Sequence, residues 1–130
     1  MLFQRVGTGA GPLRCSGVQR FLLPCLCLLS ACSPGSAQLA AIKQLRSATA
    51  EWALVNREAV QRNLPAAYVD GMRSTARRQI GEAARSLGNG NEEAARRAAV
   101  LQALPPDADA GLLARHAASL KAIEQQLESA

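Results

Sequence analysis

Beyond residue 36, apolar side chains return at spacings of three and four. Leu39, Ile42, Leu45, Ala48, Trp52, Val55 and Ala59 fall on one stripe, the period of a helix that buries one face. This predicts a first helix over residues 37–62, broken by Asn63-Leu64-Pro65, with Pro65 in the first turn of the helix that follows. A second stripe, Val69, Met72, Ala76, Ile80, Ala83 and Leu87, predicts a helix over residues 65–87. Gly88-Asn89-Gly90-Asn91 is the clearest interruption. Gly88 suits a C-cap, and Asn91 suits the N-cap of a third helix whose first turn carries Glu92 and Glu93. That helix is short and ends at Leu104, before Pro105-Pro106. Asp107 or Asp109 then caps a fourth, in which Leu113, His116, Leu120, Ile123 and Leu127 share a face.

The fold class expected is therefore all-α. Alanine, leucine, arginine, glutamine and glutamate dominate and β-branched residues are few, which favours helix throughout. Two long amphipathic helices joined by a short break make an antiparallel hairpin, and two shorter helices follow it. They either close into a small bundle or stay open. No sequence repeat of fixed period is present. The core these stripes build is thin, because Trp52 and Tyr68 are the only aromatics after residue 32 and many seam positions are alanine. Alanine lets helices approach but buries little area at ~25 cal/mol per Å². Gly71 and Gly81 each cost about 1 kcal/mol inside the second helix. Modest stability is expected, and with it a self-associating chain or a protein partner.

The first thirty residues follow other rules. Arg14 and Arg20 precede Phe21-Leu22-Leu23-Pro24-Cys25-Leu26-Cys27-Leu28-Leu29, nine residues without a charge. At ~1.5 Å per residue this run is too short for a ~30 Å hydrocarbon layer, so it reads as the core of a secretory signal rather than a transmembrane helix. Leu29-Ser30-Ala31-Cys32 comes next, and here the sequence resembles the lipobox of bacterial lipoproteins: an aliphatic residue, two small ones, then cysteine. The resemblance covers the leader alone. It implies cleavage between Ala31 and Cys32, a diacylglycerol on the Cys32 thiol, and acyl chains that hold the protein to a cell-envelope membrane facing the periplasm. Ser33, where an aspartate would favour inner-membrane retention, points to the outer membrane.

The organisation that follows is a signal peptide over residues 1–31, a lipidated cysteine and short tether over 32–36, and a helical domain over 37–130. Two rivals are a mitochondrial transit peptide and a buried core helix that happens to end in cysteine. The first should be amphipathic, whereas Phe21 to Leu29 is apolar all round. The basic stretch before Phe21 is long for a signal, and initiation near Val18 would leave a compact basic head.

Charge and cysteine content take on a different meaning in this light. The net charge of the whole chain is +5, but Glu51 is its first acid. Without residues 1–31 the chain keeps twelve basic and ten acidic residues, about +2. The basicity owes much to the leader, and nucleic acid is not an expected partner. All four cysteines, Cys15, Cys25, Cys27 and Cys32, lie in the first quarter, so a cleaved chain has no internal disulfide.

Candidate chemistry is sparse. His116 is the only histidine, with no cysteine or carboxylate spaced to join it on a metal, so it reads as a boundary histidine and no cofactor or metal is expected. No G-x-S-x-G elbow or S-x-x-K occurs. Carboxylates sit near arginines or helix starts, Arg78 with Glu82 and Glu82 with Arg85 having the spacing of surface pairs. Arg73, Arg77, Arg78 and Arg85 give the second helix a basic side that suits anionic headgroups, envelope glycan acids or an acidic partner. Trp52 is expected in the seam and, if exposed, as an interface residue. The expected function is a non-enzymatic, membrane-anchored interaction or structural lipoprotein of the envelope, with an envelope protein or a second copy as partner. The alternatives are a small periplasmic hydrolase or enzyme accessory subunit and, if the leader is retained, a basic nucleic-acid-binding helical protein.

Overall fold

A computed structural model describes residues 34–130. Four helices fill them, α1 Pro34–Val60, α2 Ala66–Leu87, α3 Glu92–Ala103 and α4 Ala110–Glu128, and no strand occurs among the described residues. The chain is all-α, as its periodicity requires.

The helices close into an up-down-up-down bundle. Lys43 and Arg46, early in α1, pair with Glu128 and Glu124, late in α4, each at 2.7 Å. Trp52 and Asn56, late in α1, bond instead to the loop before α4. The two helices are therefore antiparallel, which brings the α1–α2 turn and the α3–α4 loop to the same end. At the other end, the Gln38 side chain lies against Gly90 in the α2–α3 turn, where an added Cβ would stand only 3.0 Å from Gln38 Nε2. α1 packs along both α2 and α4, while α3 meets chiefly α2.

The apolar stripes form the core. Ile42, Leu45, Trp52, Ile80, Leu101, Leu113 and Leu120 are completely buried, with Ala41, Ala48, Ala76, Ala83, Ala94 and Ala98 filling the seams. Leu39, Ala59, Met72 and Leu127, at the stripe ends, are only half-buried. His116 is also half-buried, at the edge of its stripe.

Helix boundaries differ from expectation in ways their capping explains. α1 starts at Pro34, so Pro34-Gly35-Ser36, expected as tether, is helical. Proline fits a first turn because its fixed φ is helical and no N–H is needed there. α1 stops at Val60 because Arg62 adopts φ 58°. Arg62 N–H then donates to Ala59 O at 3.1 Å and Asn63 N–H to Glu58 O at 3.1 Å, the paired bonds of a Schellman cap. The Asn63 side chain also donates to Glu58 Oε2 at 2.8 Å, where that motif often has an apolar contact.

Pro65 stands outside α2 as its N-cap. Gly88 ends α2 at φ 54°, ψ −144°, and Asn91 caps α3 by accepting from Ala94 N–H at 2.9 Å. Asp109 caps α4 rather than Asp107, accepting from Leu112 N–H at 2.7 Å.

The expected pairs Arg78–Glu82 and Glu82–Arg85 do not form among the described residues. Exposed pairs gain little in water and lose side-chain freedom. Glu93 instead holds Arg96 at 2.6 Å and Arg97 at 2.7 Å. Arg46 and Glu124 make a Coulombic contact more than a hydrogen bond: the 2.7 Å approach lies off the donor's axis, and neither atom has an aligned partner.

Candidate functional site

Trp52 and Asn56 are one helical turn apart on α1, so both side chains face the α3–α4 loop. Trp52 is 0% exposed, and its Nε1–H donates to Pro106 O at 2.8 Å. Asn56 Nδ2 donates to the same carbonyl at 3.1 Å and to Ala108 O at 2.7 Å. Its Oδ1 accepts from Arg73 Nε of α2 at 2.7 Å. One amide thus joins α1, α2 and the loop before α4. Removing it would leave the buried Ala108 carbonyl without its side-chain donor and Arg73 Nε without its acceptor, while Pro106 O keeps Trp52; an unsatisfied buried group costs about 1–3 kcal/mol.

Trp52 lies in the seam, as expected, and being fully buried it offers no surface to a partner. The network corrects the reading of Arg73, which belongs to the same tie, with its side chain only 19% exposed, and is not part of an open basic face. Asn56 escaped the sequence reading, although an asparagine inside a helix one turn from the tryptophan was a signal, since asparagine is a poor helix former unless its amide has a task.

A cleft of about 840 Å³ opens above this tie, at the end where the α1–α2 turn meets the α3–α4 loop. Arg57, Arg62, Val60 and Ala59 line it from α1 and its turn, Val69, Asp70 and Arg73 from α2, and Asp107 and Asp109 from the loop. Its charged groups differ in how far they are committed. Arg73 serves Asn56 and lies 3.9 Å from Asp70, Arg57 contacts Glu58 at 3.4 Å, and Asp109 caps α4. Among the described residues, Arg62 and Asp107 have no side-chain hydrogen bond or ion pair.

The remaining arginines of α2 do not make one patch. At about 100° per residue, Arg78 and Arg85 lie on one side of the helix and Arg73 and Arg77 on another. Arg78 and Arg85 are exposed and Arg77 is half-buried. Arg77 borders two small hollows, one beside Asp70 and Pro106 and one beside Ile80 and Leu101. None of the three forms an ion pair among the described residues, so each remains a cation open to an anionic partner.

His116 Nδ1 is buried without a hydrogen-bond partner. Burial holds its pKa below the ordinary 6.5, and the nearby Arg97 and Arg115 charges push it the same way. Two flanking guanidiniums suit a neutral imidazole and oppose a cation beside it. Among the described residues no three histidine, cysteine or carboxylate side chains gather as metal ligands. Cys32 and Ala31, the expected lipidation and cleavage positions, lie outside the described residues. Among those described, no helix is long and apolar enough to cross a membrane. No family model, curated protein or solved structure matches the chain.

Proposed function

We propose that this chain is a lipid-anchored helical module of the bacterial cell envelope, acting by holding a partner rather than by catalysis. The observation that carries this reading is Leu29-Ser30-Ala31-Cys32, placed directly after an uncharged nine-residue run with arginines before it. Two or three acyl chains on Cys32 give the lasting attachment that a single chain does not.

The described body supports the same reading. Cys32 precedes the start of α1 by two residues, at most about 7 Å of chain. Anchored there, the bundle carries its cleft at the far end of a 27-residue helix, about 40 Å long at 1.5 Å per residue. The cleft is then turned away from the lipid, towards whatever the periplasm presents. Arginines, aspartates and aliphatic side chains line it, a composition suited to recognition.

Mass spectrometry of the N-terminus of membrane-extracted protein tests the anchor. A diacylated or triacylated Cys32 is expected, and Cys32→Ala should leave an unlipidated chain that washes off membranes. An unmodified chain starting before Cys32 in wild-type cells sinks the reading.

A further inference from the structure

The cleft at the α1–α2 turn has a chemistry that selects its ligand and does not depend on lipid at Cys32. We propose that it binds a short zwitterionic peptide, with the ligand carboxylate on Arg62 and the ligand ammonium on Asp107.

Both signs of charge line one cavity. Arg57 and Arg62 come from the end of α1 and its turn, and Asp107 and Asp109 from the α3–α4 loop. Of these, Arg62 and Asp107 have no side-chain partner among the described residues, and they do not pair with each other although they share the cleft. Opposite charges held apart in one cavity fit a ligand that carries both. A simple anion would gain Arg62 but face the aspartates. A simple cation would gain Asp107 but face the arginines.

Size and lining narrow the class further. An open cleft of about 840 Å³ has room for a molecule of several residues. The lining also includes the exposed Val60, which suits a small apolar side chain, with Val69 buried behind it. The Trp52–Asn56–Arg73 tie fixes the loop bearing Asp107 against α1 before any ligand arrives, which lowers the ordering cost of binding.

Saturation-transfer NMR with trialanine, on the full chain in deuterated detergent, tests this. Saturable binding is expected, weakened at least tenfold by acetylating the probe's amine or amidating its carboxylate. Arg62→Gly and Asp107→Asn should each weaken binding at least tenfold while circular dichroism stays unchanged. Arg62 is exposed at a position glycine favours, so its loss does not unfold the bundle. Three outcomes overturn the proposal: no transfer to the probe, binding indifferent to either blocked terminus, or binding unaltered in both variants.

Discussion

Three polar residues lie in or beside the apolar stripes: Thr49 and Asn56, both buried, and the half-buried His116 at the edge. Thr49 satisfies its hydroxyl locally, donating to Leu45 O at 2.7 Å within α1. Asn56 is satisfied only by other elements, Arg73 on α2 and carbonyls some fifty residues away, which is why periodicity did not disclose it. His116 is the unsatisfied member, and its environment gives stability a sign with pH. The folded pKa lies below the ordinary 6.5, so between the two values the unfolded chain holds the extra proton. Stability is then complete above about pH 6.5 and falls as pH drops through that range. Urea unfolding at pH 7.5 and 5.5 should show a lower midpoint at pH 5.5, and His116→Gln should remove most of that difference. An equal decline in the variant would assign it to other groups. Glu58 and Glu93, held low by Asn63 and Arg96 respectively, act only nearer their usual range of about 4.5.

At the level of elements, stripes and breaks were legible from spacing, while ends depended on how orphan carbonyls and amides were capped. Gly88 and Asn91 were readable as residue types, while an aspartate cap for α4 was readable but not which of Asp107 and Asp109 supplies it. The end of α1 was not, because an arginine occupies the left-handed position that glycine usually fills. The Asn63–Glu58 contact helps hold it there. Arg62→Gly should therefore raise stability by up to about 1 kcal/mol, by relieving the side-chain penalty at φ 58°. Gly88→Ala should lower it by about 1–3 kcal/mol, since φ 54°, ψ −144° is a region that essentially only glycine enters. Thermal melts of the two variants should shift in opposite directions. A shift in the same direction would contradict the capping account.

Across the whole molecule, α1 is the common wall against which α2 and α4 pack, and α3 is the least secured element. It is short, buries only Ala94, Ala98 and Leu101, and two of those are alanines. Its arginines pair chiefly with its own Glu92 and Glu93, which steadies the helix without fastening it to the bundle. Amide hydrogen exchange should accordingly release α3 before the centres of α1 and α4. Uniform protection across all four helices would show that α3 is as firmly docked as the rest. The thin core expected from composition is present, but the hydrogen-bonded tie through Asn56 adds specificity that apolar area alone does not provide.

The sequence by itself determined four helices, their breaks and the face each buries, because helix propensity, a three-to-four spacing and capping residues act within a few positions of one another. It also carries Leu29-Ser30-Ala31-Cys32, the run of residues on which the proposed lipid anchor rests. Only the tertiary structure decided that the bundle closes, that Trp52 reaches the Pro106 carbonyl and that Arg73 is tied down while Arg78 and Arg85 remain exposed. It also decided that two connections distant in sequence meet at one end to form the cleft. These outcomes depend on which helix lies beside which, and hence on contacts whose partners are 17 to 54 residues apart, beyond the reach of any local pattern.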